Sequence, residues 1–110
     1  MTANLTIDRD GIVVAWDEGA VLLLGYPQSH AVGRSMEFFI PEEHRADRWA
    51  GFQRAMANEA LPFDPAEILP VEMVHRNGER LPVHVTVLAQ RDRTGRITSL
   101  TVTAKAADPR

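Results

Sequence analysis

The stretch from Val71 to Val87, VEMVHRNGERLPVHVTV, limits what this chain can fold into more than any other. Two runs rich in β-branched residues flank Asn77-Gly78, a dipeptide that marks hairpins because both residues tolerate positive φ. Alternation sorts the side chains by face. Val71 and Met73 point one way on the first strand, and Val83, Val85 and Val87 share a face on the second. Glu72, His84 and Thr86 point to the opposite face. Paired residues in a hairpin have a constant number sum, and that sum must be even for the two apolar sets to share a face. A two-residue Asn-Gly loop would pair Arg76 with Glu79, an odd sum, and turn one set to solvent. The parity predicts a loop of about three residues around Asn77-Gly78-Glu79, with Gly78 near a left-handed conformation. One face of the hairpin is then a wall, and what packs against it decides what the protein does.

The remaining elements follow from shorter signals. Strands are predicted over 4–8, 11–16, 67–76, 80–91 and 96–106, the first two meeting at the turn Arg9-Asp10-Gly11. Asp17 is placed to cap a short helix, DEGAVLLLGY, that ends at Gly25. Ala20, Leu23 and Leu24 form its natural buried stripe. Val21 and Leu22 lie beside that stripe and predict a second covered surface. Further short turns or helices are expected over 27–33 and 35–40. The one long helix is predicted over about 42–58, opening with Pro41 and two glutamates that suit the positive end of its dipole. Arg45, Arg48, Trp49, Ala55 and Met56 all fall within roughly 60° of Phe52 on that helix. Leu61 to Pro65 is a breaker-rich linker. Connections after the helices are hairpin-like, so an α+β domain with an antiparallel sheet and helices over one face is the economical packing.

Composition narrows the function. A chain of 110 residues fits one domain, here read as 1–110, and its 45% hydrophobic and 25% charged content is ordinary for a globular protein. A net charge of −3 without a basic cluster carries no nucleic-acid signature. There is no cysteine, which excludes disulfides, thiolate metal sites and cysteinyl adducts and fits a reducing compartment. No apolar run reaches spanning length and no signal-peptide pattern opens the chain, so a cytoplasmic location away from the membrane is expected.

DRDGIVVAWDEGAVLLLGYPQSHAVGRSMEFFIPEEHR resembles the PAS pattern D-x-x-G-x-I-x-x-W-N-x-A-x-x-x-L-x-G-Y…G-x-x-x-x-x-x-I-P-x-x-x-R. HRNGERLPVHVTV is similar to the R-x-D-G-x-x-x-P-V hairpin of the same family. The resemblance implies the PAS fold, a five-stranded antiparallel sheet in the order 2-1-5-4-3 with short helices and one longer helix over one face. It also implies a sensory module in signal transduction or transcription regulation, including two-component systems. Such a module would bind a small ligand between sheet and long helix, dimerise through the outer sheet face, or do both. By position, the ligand-facing wall would comprise Leu69, Val71, Met73, Val85, Val87, Leu100 and Val102. Arg45, Arg48, Trp49, Phe52 and Met56 would face it from the helix. A filled core that serves only dimerisation or protein contact is the alternative, with Val21, Leu22, His84 and Thr86 as the interaction surface. An output domain or partner protein would lie outside this chain.

Departures from the family pattern bear on cofactors. The cysteine of the flavin-photoadduct motif is absent, so that chemistry is not expected. Haem-sensing members carry a histidine where this chain has Arg48 and an arginine where it has Leu69. A haem sensor would therefore have to use His44, one turn earlier. The Asp-Ile-Thr signature that leads to an output helix reads Ala106-Ala107-Asp108. Arg45 and Arg48 on the inward stripe suit a carboxylate or phosphate at the pocket mouth, or ion pairs with Glu37, Glu42 or Glu43. His75 and His84 should face opposite sides of the sheet, and His44 with Asp47 has no nucleophile beside it, so neither a metal site nor catalysis is expected.

Overall fold

The computed structural model describes residues 2–107, so Asp108 of the terminal signature lies outside the described residues. Five antiparallel strands, β1 (Thr2–Asp8), β2 (Val13–Trp16), β3 (Leu69–Val74), β4 (Arg80–Arg91) and β5 (Ile97–Ala106), form one sheet in the order β2-β1-β5-β4-β3. Between β2 and β3 run α1 (Glu18–Leu24), α2 (Gln28–Ala31), two 3₁₀ turns (Met36–Phe39 and Glu42–His44) and the longer α3 (Arg45–Asn58). This is the α+β architecture and strand order that the resemblance implies.

The hairpin obeys the parity rule. Val71 pairs with Val83, Leu69 with Val85 and Val74 with Arg80, all even sums. The loop sits one residue earlier than expected, at Arg76-Asn77-Gly78: the Gly78 amide donates to the His75 carbonyl at 2.8 Å, and the His75 amide donates to the Glu79 carbonyl at 2.8 Å. Gly78 adopts φ 93°, the left-handed conformation that closes such a loop. β3 is shorter than the expected 67–76, because a turn around Asp64 to Glu67 delays its start and the loop takes its end. The expected helix over 42–58 is divided, with a 3₁₀ turn through His44 before the α-helix begins at Arg45.

α1 starts as its sequence indicates. The Asp17 carboxylate accepts from the Ala20 amide at 2.8 Å and from the Asn4 amide at 3.0 Å, which ties the cap to β1. Gly25 ends the helix at φ 84°. α1 lies directly on β1, so close that a Cβ on Gly19 would stand 1.9 Å from the Thr2 carbonyl oxygen. α3 makes no comparable backbone approach to any strand. The core is thus continuous under α1, where Ala3, Leu5, Ala20 and Leu24 are fully buried, and it opens beneath α3. An aromatic cluster of Trp16, Tyr26, Phe38 and Phe39 packs β2 and the turn after α1 against the first 3₁₀ turn, with the Trp16 indole donating to the Tyr26 carbonyl at 3.0 Å.

Candidate ligand cavity

Because α3 stands off the sheet, side chains must bridge the gap, and they do not fill it. A cavity of ≈ 270 Å³ remains between α3 and the inner faces of β3, β4 and β5. The registers that align the two hairpins also align its wall: Leu69 stands opposite Val85, and Val87 opposite Val102. Val71, Met73 and Leu100 complete the sheet side. Phe52 and Ala55 of α3 face them, and Met36, Phe39 and Ile40 of the 3₁₀ segment close one end. Leu61, Pro62 and Phe63 of the linker also line the cavity, with Pro62 exposed and the other two half-buried.

The sequence-predicted helix residues divide by flank. At about 100° per residue, Arg48, Ala55, Gly51 and Asp47 lie on one side of Phe52, and Arg45, Met56 and Trp49 on the other. The cavity faces the first side. Arg48 borders it, while Arg45, Trp49 and Met56 do not. Arg45 turns back to donate from Nε to the Ile40 carbonyl at 3.1 Å. The Trp49 indole lies over Gly11, where a Cβ would come within 2.3 Å of Cη2, and donates to Glu37 Oε2 at 2.6 Å. Its ring meets Phe52 edge-on, with centroids 5.7 Å apart. Met56 is buried in the core, and its carbonyl accepts from Arg9 Nη2 at 3.2 Å.

Sequence reasoning missed Ile7, Met36, Phe39, Ile40, the linker and Gly51. The apolar LPF run was a usable sign of the linker's role, and a glycine inside the one long helix was a usable sign of an opening.

The interior is without charge. Among the described residues no polar or charged side chain is buried, and no buried side-chain nitrogen or oxygen lacks a partner. Charges appear only at the rim, where Asp47 and Arg48 are exposed and where Glu72, expected on the opposite face, borders the cavity from the edge strand β3. Beside them, Arg80 forms a two-pronged ion pair with Glu43 and lies 3.9 Å from Glu72. The hydrogen bond from Arg80 pulls the Glu43 carboxyl down to about 2.

The lining does not fit haem. Met36 and Met73 offer thioethers, but among the described residues the cavity contains no imidazole, thiolate or phenolate, and His44 sits exposed at the start of α3 outside it.

The other predicted surface residues are dispersed. Val21 is half-buried against the core, and Leu22 is 57% exposed on α1. His84 and Thr86 lie on the outer sheet face, where with Ile68, Thr103 and Lys105 they line a second concavity of ≈ 350 Å³. His75 is on the helix side, against the end of α1, so the two hairpin histidines do point to opposite faces.

Residues 2–106 match the sequence profile described as the PAS fold. A comparison with curated protein sequences finds no match. Among solved structures, the PAS domain of a Colwellia psychrerythraea protein superposes with a TM-score of 0.82 at 15% identity, covering 99% of this chain and 88% of that one. The dark structure of the blue-light photoreceptor Aureochrome1 LOV gives 0.74 at 18% identity, covering 97% and 76%. A variant of the Drosophila melanogaster Cycle PAS-B domain with bound glycerol gives 0.72 at 14% identity, covering 96% and 99%.

Proposed function

Given that this chain belongs to the PAS family, we propose that it is a sensory module that takes up a small molecule in the cavity between α3 and the sheet. Nine residues expected at the ligand, Arg48, Phe52, Leu69, Val71, Met73, Val85, Val87, Leu100 and Val102, border that cavity. Arg45, Trp49 and Met56 act at one remove, by fixing how α3 sits. The single observation that carries the reading is the unfilled apolar volume of ≈ 270 Å³, since protein interiors otherwise pack to crystal-like density. The module transmits rather than catalyses. Occupancy shifts the inner sheet face, and a partner or output domain reads the outer one, in the cytoplasm and in a signalling or transcriptional pathway. Bound glycerol in the Cycle domain is in keeping with a fold that accepts small molecules. Protein purified from its native host should retain a bound small molecule in native mass spectrometry, and Val102→Phe should abolish it. Ligand-free protein whose solution structure has the cavity closed by side chains would refute the reading.

The exposed apolar side chains favour dimerisation as a second activity. Ile68 is 63% exposed and Leu88 48% exposed, the latter on the outer sheet face among Thr86, Thr101 and Thr103. That face is the surface proposed for a homodimer, with His84 and Thr86 inside it and Val21 and Leu22 as a separate patch on α1. Sedimentation velocity should show a dimer that Leu88→Glu dissociates. An unchanged sedimentation coefficient would remove this surface from consideration, and the same comparison on Val21→Glu/Leu22→Glu tests the second patch.

A further inference from the structure

We propose that Gly51 is the portal of the cavity and that the molecule it admits is uncharged and rich in hydrocarbon; this rests on the ligand-binding reading above. A glycine in the interior of a helix weakens it relative to alanine, so its presence calls for a local reason. Two usual reasons do not apply. Gly51 has no positive φ, and among the described residues no neighbour crowds it: a Cβ added there would meet nothing within 4 Å. Gly19 is the contrast, because a Cβ at that position would collide with the backbone of Thr2. What the missing side chain leaves at Gly51 is open space, and that space borders the cavity. Arg48 and Ala55 flank it one turn to either side, and Leu61 to Phe63 of the linker border the same cavity. Any larger side chain at this position would project into the opening.

The polarity of the occupant follows from what lines the path. A buried charge or hydrogen-bonding group needs a partner, and among the described residues the interior supplies no side chain that could serve. The rim carries Asp47, Arg48 and Glu72, with the Arg80–Glu43 pair beside Glu72; the acids outnumber the cations, so the rim gives an anionic head no net attraction. An apolar cavity of about 150 Å³ stays dry and accepts benzene. A pocket of ≈ 270 Å³ with a largely apolar lining, open at its charged rim, has room for a fused two-ring hydrocarbon or a medium alkyl chain.

Decan-1-ol and decanoate share a chain and differ in charge, which makes them a matched pair for the full chain at pH 8. Methyl resonances of Leu69, Val87 and Val102 would report binding, and their exchange broadening would report the association rate. Decan-1-ol should bind at least tenfold more tightly than decanoate. Gly51→Leu should slow its association at least tenfold, and Gly51→Ala should slow it by a smaller factor while raising the urea midpoint. Equal or tighter binding of decanoate overturns the assigned ligand class but leaves the cavity as a binding site. Unchanged association in both folded variants overturns the portal. If neither probe moves the cavity methyls, the ligand-binding reading falls together with this one.

Discussion

At the residue scale, the decisive contacts are made by side chains whose partners are distant in sequence. Trp49 illustrates this. Its position on α3 is inward by spacing, yet the ring leaves the cavity because Gly11 leaves a flat seat for it and Glu37 accepts its indole N–H at 2.6 Å. Gly11→Ala should therefore cost about 1–3 kcal/mol, through the lost seat for Trp49 together with the strain of a Cβ at φ 79°. Chemical denaturation followed by tryptophan fluorescence measures it, and a loss within about 0.5 kcal/mol would mean the ring has an equally good alternative place. Arg45 makes the same point with charge. It satisfies the Ile40 carbonyl at the 3₁₀ turn instead of waiting for an anion.

At the element scale, α3 is held at its ends and left free of the sheet in between. Its C-terminal end is the tighter. Glu59 adopts φ 52° and directs Oε1 to the Ile97 amide at 2.6 Å and to Arg9 Nη1 at 3.0 Å. Arg9 continues to the Ile97 carbonyl at 2.6 Å, and Arg91 holds the Glu59 carbonyl at 2.7 Å. The end of the helix is thereby fastened to the first turn and to the start of β5. Glu59→Gly keeps the left-handed backbone accessible while removing the carboxylate, so it isolates the fastening from the conformational cost. The Ile97 amide should then exchange with solvent at least about tenfold faster, with protection in β1 retained. Unchanged protection at Ile97 would show that β5 does not need the clamp. At the other end, the Glu43–Arg80 pair joins the 3₁₀ turn to β4 beside the cavity rim.

For the whole molecule, these fastenings carry a common pH dependence. Hydrogen bonding from Arg80 lowers Glu43 to about 2. The Ile97 amide, then Arg9, lower Glu59, and the Thr94 hydroxyl and amide lower Asp92. At Asp17 burial acts upward, but hydrogen bonds from Asn4, Ala20 and Gly19 outweigh it and the net direction is down. A carboxyl whose folded pKa lies below its unfolded value adds stability above the unfolded pKa, near about 4, and loses it as pH falls through the folded one. His30, lowered by desolvation and then by Arg34 and Arg76, adds a shallow loss of stability as pH falls through about 6.5, and urea unfolding should show the main, steady decline from about pH 4.5 to 2. In Glu43→Gln the lowest part of that decline should flatten. A profile that stays level to pH 2 would contradict the assignment of these ion pairs and caps as stabilising.

What could be read without the fold was whatever depends on neighbours in the chain. Hairpin parity, the Asp17 cap, the Gly25 terminus and the shared face of Val71, Met73, Val83, Val85 and Val87 are of this kind. Each follows from backbone geometry of period two or 3.6, which a sequence carries directly. The strand order came from the family resemblance, because local pattern cannot choose which strands become neighbours. Tertiary structure alone decided how α3 is turned about its axis. That rotation depends on Gly11, Glu37 and Ile40 accepting Trp49 and Arg45, and it brings Gly51 and the linker, in place of Trp49 and Met56, to the cavity. It also decided that a cavity exists, since the gap is the difference between how closely α1 and α3 approach the sheet. Gly19 permits the first approach, and the clamps at either end of α3 set the second.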